Sequence, residues 1–445
     1  MKKFPNALVI MLSFILLVSL LTYFIPSGQY ERITDPIHDY VTVVPGSFEI
    51  IQSESISIYD IALSIPEGII KAAELIALIM LLGGCFYVIE KTGALKDGIV
   101  YITDVLRGKE EIALIVVSVL FATGGALSGL QEEIIAMTPV LIYFTTRLGY
   151  NVFVAVSVSF GSAILGAAFS PMNPFAVGIA QKTAEVPYLS GSTFRLVVLF
   201  LAFILWMYLV IRYANKNRME KEQVAEVVKP TIKRRNVIIL FLTGSTFGFM
   251  IYGILWRDWG FNEMSAEFFI LGIIAGLIGK LGLNGTFESY VNGFKEMTFA
   301  CIIIGLANSI TIILEKGMII DTIIYGLFTP LQHLPRAMAA VLMMVAQSLL
   351  HFPVSSYSGQ AVMTLPILSP LSDLIGISRQ VTVLAYQYGA VMMDMMIPTN
   401  GALMAILAVS GIPFDKWVKF IIWPALILLC LCSVALIVAV IIGLQ

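Results

Sequence analysis

Residues 170–174 read Ser-Pro-Met-Asn-Pro, and residues 397–401 read Ile-Pro-Thr-Asn-Gly. Proline removes a backbone donor and clashes with the preceding helical turn, so each motif predicts an interrupted helix. Carbonyl groups freed at an interruption can coordinate Na⁺, while the half-helix that follows presents N–H groups at the positive end of its dipole. Taken alone, either motif also fits a simple proline kink in which asparagine satisfies the freed carbonyls.

The two motifs occupy equivalent positions of an internal repeat. Pro171 and Pro398 are 227 positions apart, as are Asn173 and Asn400. The same ungapped register aligns three further pairs, Ser128 with Ser355, Pro139 with Pro366, and Gly149 with Gly376. All of the matched residues break helices or are typical of hairpin tips, which favours a duplication over coincidence.

The composition is that of a membrane protein. Hydrophobic residues make up 58% of the 445 residues and charged residues 13%, with a mean hydropathy of +0.92, whereas a soluble protein has about 25% charged residues. Apolar runs such as residues 7–25 and 421–442 match the roughly 20 residues that a helix needs to cross a bilayer. Their unbroken apolar character excludes the alternation of a transmembrane barrel. The sequence therefore predicts an all-α polytopic membrane protein.

The charge pattern predicts the orientation. Lys2 and Lys3 precede the first apolar run, which we interpret as an uncleaved span. Basic residues cluster between residues 212 and 235, and acidic residues between 27 and 57. Because loops rich in Lys and Arg stay inside, we expect a cytoplasmic N-terminus and basic loop in the cell (inner) membrane.

Two inverted-topology repeats are the predicted architecture, each with a re-entrant hairpin and a broken transmembrane helix. An odd number of crossings between the copies inverts the second copy. The predicted segments are 1–71 (first helix, external loop and interfacial helix), 72–214 (first repeat), 215–235 (cytoplasmic basic loop), 236–296 (linking helices) and 297–445 (second repeat). Within the repeats, the hairpins are expected at about 111–148 and 335–376, and the broken helices at 150–185 and 378–412.

Polar residues at the hairpin tips and helix breaks form the candidate site. Irregular backbone and carboxylates at membrane depth are tolerated only against protein or a water-filled cavity. The candidate substrate-binding residues are Ser128, Gly129, Glu132, Glu133, Asn173, Ser355, Ser356, Asp394, Thr399 and Asn400. The candidate ion-binding residues are Ser128, Asn173, Ser355, Thr399 and Asn400.

The intramembrane acids have several candidate roles. Asp394, Glu132 and Glu133 could attract a substrate ammonium group, carry a coupling proton or help to hold Na⁺. Hydrogen bonding that steadies the hairpin is the alternative for the two glutamates. We interpret His351, at the mouth of the second hairpin, as structural rather than as a proton relay. Arg195 falls near a helix end, where snorkelling to the interface is the ordinary explanation.

Several blocks of this sequence are similar to one carrier family. The blocks are Ile25-Pro26-Ser27-Gly28-Gln29-Tyr30, Gly83-Gly84-Cys85-Phe86, Gln131-Glu132-Glu133, residues 173–181 (Asn-Pro-Phe-Ala-Val-Gly-Ile-Ala-Gln), Ser358-Gly359-Gln360-Ala361, residues 366–371 (Pro-Ile-Leu-Ser-Pro-Leu) and Ile397-Pro398-Thr399. With them the chain resembles, over nearly its full length, the YfcC/DcuC-type carriers of the ion transporter superfamily. The Asn-Pro-Phe and Ser-Gly-Gln-Ala blocks are fairly specific to this family, whereas the Gly-Gly block alone is weak evidence for it.

The resemblance implies a scaffold-and-transport-domain fold, commonly dimeric, with hairpin tips and broken helices around the site. It implies C4-dicarboxylates, amino acids such as arginine and ornithine, or related compounds as substrates. It further implies coupling to Na⁺ or H⁺, or exchange. Three departures from the family pattern fall in the site: Asn400 where Ser is usual, Ser-Pro-Met-Asn at residues 170–173, and Asp394 where a neutral residue is frequent.

A secondary active transporter for a small carboxylate that bears an amine, such as an amino acid or short peptide, fits the acid-rich chemistry of the predicted site. A C4-dicarboxylate carrier is the alternative within the same class, and a channel is the alternative from another class. An enzyme is not expected, because the three histidines, His38, His333 and His351, fall at unrelated depths. We expect a lipid bilayer and a small molecule as partners, no nucleic acid, and no cofactor other than Na⁺ or H⁺ as coupling ion.

Overall fold

The computed structural model describes residues 7–34, 41–44, 46–52, 56–105, 108–219, 232–257 and 259–445. Most of them are helical. Two short antiparallel ribbons, β1 (Gly28–Gln29) with β4 (Glu49–Ile50) and β2 (Arg32–Thr34) with β3 (Val41–Val43), follow the first helix. Residues 220–231, most of the predicted basic loop 215–235, lie outside the described residues.

The helices fall into two matching series. The first is α3 (Ala73–Lys91), α4 (Ala94–Val105), α5 (Glu110–Ser128), α6 (Glu133–Arg147), α7 (Val152–Val156), a π-helical turn (Ser157–Gly161), α8 (Ser162–Phe169), a second π-helical turn (Pro174–Gly178), α9 (Ile179–Thr183) and α10 (Ser192–Lys216). The second is α13 (Gly282–Lys316), α14 (Ile320–Phe328), a 3₁₀ turn (Thr329–His333), α15 (Arg336–His351), α16 (Tyr357–Ile375), α17 (Arg379–Met393), α18 (Gly401–Val409) and α19 (Phe414–Ile441). Outside the two series lie α1 (Ala7–Phe24), α2 (Ile58–Lys71), α11 (Arg234–Arg257) and α12 (Phe261–Ile278).

Helices α5 and α6 form the first hairpin. The start of α5 lies at the C-terminal end of α10, where the amide of Asn215 donates to Glu111 at 2.7 Å. The end of α6 returns to the same place, because the N–H of Met219 donates to the carbonyl of Gly149 at 2.9 Å. The chain therefore reverses at the tip, where Gly129 adopts a φ of +71° that suits glycine.

Helices α15 and α16 form the second hairpin in the same way. A Cβ placed on Gly376, just after α16, would lie 2.6 Å from the guanidinium of Arg336, the first residue of α15. The end of α19 lies beside this base, since Ser378 donates to the carbonyl of Leu444 at 2.5 Å. Each hairpin is thus anchored at the C-terminal end of the last helix of its own repeat.

The two repeats run in opposite directions. Tyr213, near the end of α10, packs against Phe420, near the start of α19, with ring centroids 4.5 Å apart. These equivalent helices are therefore antiparallel, and the hairpin bases lie at opposite ends of the pair. The predicted fold class is confirmed: an all-helical protein of two inverted repeats, each with a hairpin and a broken helix.

Close backbone contacts hold each broken helix to its neighbours. A Cβ on Gly166 of α8 would lie 1.9 Å from the carbonyl oxygen of Ala122 in α5, and one on Gly125 would lie 1.9 Å from that of Ala163. Only glycine allows helices to approach so closely, as is common between transmembrane helices. The first hairpin and the first broken helix therefore pack as one body.

Among the described residues, seven segments are long and apolar enough to cross a membrane. They are Ala73–Lys91, Glu110–Leu127, Val152–Thr183, Ser192–Lys216, Phe261–Ile278, Gly282–Lys316 and Phe414–Ile441. The second of these is one limb of the first hairpin, so its length and composition alone would suggest a full crossing.

Candidate functional site

The first break, residues 170–173, is closed by its own side chains and the tip of the first hairpin. Asn173 accepts from the N–H groups of Phe175 and Ala176 at 2.9 and 2.8 Å, and so caps the next half-helix. Its amide donates to the carbonyl of Gly125 at 2.7 Å. Ser170 donates to the carbonyl of Ala126 at 2.6 Å. The motif thus satisfies backbone groups on both sides of the break.

The second break, residues 394–400, is closed in an equivalent way. Thr399 donates to the carbonyl of Phe352 at 2.6 Å, and Ser355 donates to the carbonyl of Thr399 at 3.0 Å. Asn400 caps α18 by accepting from the N–H of Leu403 at 2.7 Å. Each hairpin tip is therefore hydrogen-bonded to the break of its own repeat.

One residue joins the two repeats at the centre. The Oε1 of Gln131, at the first hairpin tip, accepts from Nδ2 of Asn400 at 3.2 Å. Its Nε2 donates to the hydroxyl of Tyr357 at 2.5 Å and to Oδ2 of Asp394 at 3.3 Å. Gln131 is buried. The two tips and the second break consequently meet at one place.

Asp394 and His351 form a buried pair beside this joint. Oδ1 of Asp394 lies 2.9 Å from Nε2 of His351, and Oδ2 accepts a short hydrogen bond from Tyr357. Both members of the pair are at most 2% exposed. On its far side the imidazole contacts Gln360, with Nδ1 2.6 Å from Oε1. His351 thus contacts one of the predicted acids directly.

Two cavities adjoin this joint and share part of their lining. The first, which we call the acidic cavity, has a volume of about 530 Å³. It is lined by residues that include four carboxylates, Glu74, Glu132, Glu133 and Asp394. The second, the adjoining cavity, has a volume of about 400 Å³. Both are lined by Glu132, Ser355, Ser356, Ser358 and Asn400.

The cations near these cavities are few. Within the described part of the chain, the acidic cavity is lined by no Lys, Arg or His. Lys71 lines the adjoining cavity, and its Nζ lies 3.1 Å from Oε1 of Glu315. A positive group that entered the acidic cavity would therefore meet acidic side chains, with no Lys or Arg among the described residues that line it.

Comparison with known proteins identifies the family of this chain. The family model of DcuC, the C4-dicarboxylate anaerobic carrier, matches residues 4–441. The chain belongs to this family. It is therefore a multi-pass membrane transport protein.

Two relatives of this carrier align over nearly their full lengths. An uncharacterized protein of Haemophilus influenzae is 31% identical, over 98% of this chain and 97% of its own. YfcC of Escherichia coli, a candidate basic amino acid antiporter by its name, is 29% identical over 93% and 92%. Two solved structures, YdaH of Alcanivorax borkumensis and MtrF of Neisseria gonorrhoeae, each share 14% identity, with TM-scores of 0.46 and 0.43, and cover 99% of this chain. They cover 99% and 96% of their own chains, respectively.

The carrier brings most of the predicted site residues together. The residues that line the acidic cavity, the adjoining cavity or both are Gly129, Glu132, Glu133, Ser355, Ser356, Asp394, Thr399 and Asn400. Asn173 is fully buried behind the first hairpin tip, where its polar atoms bind the backbone. Ser128 ends α5, but its side chain is not among those that the structure describes. Roles in binding substrate or Na⁺ stay predictions for all ten.

Arg195 differs from the sequence-based interpretation. Its side chain is fully buried and does not snorkel to the interface. Its Nε donates to Oε1 of Gln387 at 3.1 Å, and Gln387 donates in turn to the carbonyls of Ala167 and Ser170. The guanidinium is buried because it packs against Gln387 of α17 and donates to the carbonyl of Ser190 at 2.9 Å. Arg195 thereby helps a residue of the second repeat to satisfy carbonyls freed at the first break.

The cap at the first break yields a stability prediction. Asn173→Ala should lower the free energy of unfolding by about 1–3 kcal/mol, because three backbone groups, two of them buried, lose their partners. Asn151→Ala is the matched control, since Asn151 caps α7 with a longer bond of 3.4 Å to Val154 in a partly exposed position. Thermal unfolding in detergent should show a larger fall for Asn173→Ala, and equal falls would contradict this role.

Proposed function

We propose that this carrier is a secondary active transporter of an amino acid or short peptide, with alternating access to a central site. The observation that supports the proposal most strongly is the acidic cavity. Four carboxylates line it, and none of the described lining residues is a cation. A substrate with an ammonium or guanidinium group would complement that charge.

Aromatic rings of the acidic cavity suit the same substrate class. Phe175, Trp259 and Phe261 are among its lining residues. Aromatic faces attract cations, with Trp the strongest, by about 0.5–2 kcal/mol depending on solvent exposure. An amine or guanidinium group therefore has two kinds of favourable partner in one cavity.

The carboxylate of an amino acid can be held by helix N-termini. Helix α16 begins at Tyr357 and α18 at Gly401, and their first residues line the acidic and adjoining cavities. The first N–H groups of a helix have no acceptor within the helix, and the dipole favours an anion there. The substrate would lie between these N-termini and the acids, near Glu132.

A C4-dicarboxylate, the substrate in the family description, is the competing candidate. A dianion placed in the acidic cavity would face the carboxylates of Glu74, Glu132 and Glu133, and like charges brought together disfavour binding by several kcal/mol. The name of the relative YfcC, which refers to basic amino acids, agrees with the cationic substrate. We therefore favour the amine-bearing substrate.

Further properties belong to the same proposal. Na⁺ or H⁺ would couple transport, or substrate would exchange across the membrane. The N-terminus would face the cytoplasm in the cell (inner) membrane, and the carrier would form a homodimer, as the family resemblance implies. The hairpin tips would uncover the central site alternately, since they lie against it from opposite ends.

Counterflow in proteoliposomes tests the substrate class. Vesicles that contain purified carrier and are preloaded with unlabelled arginine should take up labelled arginine transiently above its equilibrium level. Labelled dipeptide and labelled succinate, each against its own unlabelled form, provide the comparison. Exchange of succinate alone would contradict the proposal, and labelled arginine entering only to equilibrium would indicate a channel.

Glu132 is the carboxylate that we expect to contact the substrate cation. It lines both cavities and is only half-buried. Glu132→Gln should weaken the binding of arginine by about tenfold, or ~1.4 kcal/mol, while Glu132→Asp should retain part of the affinity. Glu288→Gln, at an exposed acid of α13, is the control. Unchanged arginine affinity in Glu132→Gln, measured by isothermal titration, would remove Glu132 from the site.

A further inference from the structure

The orientation of the Gln360 amide fixes one proton of His351. Nε2 of Gln360 donates to the backbone carbonyl of Gln347 at 2.8 Å and to the side-chain Oε1 of Gln347 at 2.5 Å. Its Oε1 therefore faces Nδ1 of His351 at 2.6 Å. A carbonyl oxygen only accepts hydrogen bonds, so Nδ1 must carry a hydrogen.

A second chain of amides fixes the far side of Asp394. Oδ1 of Asn400 accepts from the backbone N–H of Leu403, so its Nδ2 faces Oε1 of Gln131. Nε2 of Gln131 consequently donates to Oδ2 of Asp394 and to the hydroxyl of Tyr357. That hydroxyl, which accepts from Gln131, gives its own hydrogen to Oδ2. With two donors pointing at Oδ2, any proton on Asp394 lies on Oδ1.

Oδ1 of Asp394 and Nε2 of His351 are therefore left facing each other at 2.9 Å. Without a hydrogen between them, two lone pairs would be in contact in a fully buried place. With one hydrogen the pair is satisfied, either as a neutral acid and imidazole or as carboxylate and imidazolium. The geometry requires one proton in this conformation.

We propose that the proton held between Asp394 and His351 is the coupling proton of this carrier. The proposal rests on the proposed function, and it selects H⁺ rather than Na⁺. Loss of the proton would leave an uncompensated negative charge beside further acids. The titratable groups around the pair are Tyr357 of α16, Tyr386 of α17, whose hydroxyl donates to the carbonyl of Tyr357 at 2.7 Å, and Glu132 and Glu133 at the start of α6.

Release of the proton is linked to movement of the first hairpin. Gln131 closes the pair from the opposite repeat, by its bonds to Asp394 and Asn400. Withdrawal of Gln131 would open Asp394, which lines the acidic cavity, to solvent that accepts the proton. A ligand shifts a conformational equilibrium only if it binds the two states differently. The proton meets this condition, because the closed state needs it and an open, hydrated state does not.

Asp394→Asn is the sharpest variant, because it imitates the protonated acid. Its Nδ2 can donate to Nε2 of His351, and its Oδ1 can accept from Tyr357 and Gln131. The variant should therefore still exchange arginine by counterflow, at a lower rate because the acidic cavity loses one acidic side chain. It should lose the accumulation of arginine that an imposed pH gradient of the right polarity drives in the wild type. His351→Gln should likewise retain arginine counterflow and lose accumulation driven by the pH gradient. His333→Gln, at an exposed histidine, should accumulate arginine as the wild type does.

Accumulation of arginine by Asp394→Asn at the wild-type level under the pH gradient would overturn the proposal. Absence of arginine counterflow in the wild type would instead contradict the proposed function. In that case a measurement that does not depend on transport shows whether the pair holds the proton.

The double variant His38→Gln/His333→Gln leaves His351 as the sole histidine of the three. Nitrogen-15 NMR of this labelled protein should show a protonated Nδ1 and a strongly hydrogen-bonded Nε2. A bare Nδ1 would overturn the proposal, even if Asp394→Asn failed to fold.

Discussion

Backbone groups at membrane depth must find protein partners, and the rest of this structure depends on that constraint. Lipid supplies no hydrogen bonds, so an unsatisfied N–H or carbonyl at a broken helix costs several kcal/mol. Each break is closed by the hairpin tip of its own repeat, through Asn173 and Ser170 in the first and through Thr399 and Ser355 in the second. The hairpins are therefore required by the breaks, and the two features occur together in each repeat.

This arrangement also separates residues that maintain the fold from residues that are available for transport. The asparagines of the two motifs use their polar atoms on helix caps and neighbouring groups. Carbonyls freed at the first break are bound by Gln387 of the other repeat. Glu132, by contrast, faces both cavities at the meeting point of the tips. Substrate chemistry would thus concentrate on the acids, while the Pro and Asn residues provide the frame that positions them.

Much of the fold could be predicted from local signals. Proline and asparagine at a spacing of 227 positions marked the breaks, and serine and glycine marked the tips, because these residues have local conformational consequences. An odd number of predicted apolar spans between the two copies indicated the inversion. In the structure, that inversion is seen as the antiparallel contact of Tyr213 with Phe420.

The partnerships of the site could not be predicted in the same way. Gln131 and Asp394 are 263 positions apart, and nothing local to either residue indicates the other. His351 lies 43 positions from Asp394 on a different helix, and its contact depends on how the second hairpin packs against α17. The snorkelling interpretation of Arg195 is wrong, because a position near a helix end in the sequence does not indicate whether neighbouring helices bury the side chain. Such contacts depend on tertiary packing, which periodicity and composition do not specify.

The most direct measurement of the central claim is the sidedness of the two hairpin bases. Lys109, just before α5, and Gln332, just before α15, are both exposed. Single cysteines at these positions, with Cys85, Cys301, Cys430 and Cys432 replaced, can be labelled with a membrane-impermeant maleimide in right-side-out and inside-out vesicles. Inverted repeats predict that the two cysteines react from opposite faces of the membrane. Labelling of both from the same face would contradict the account.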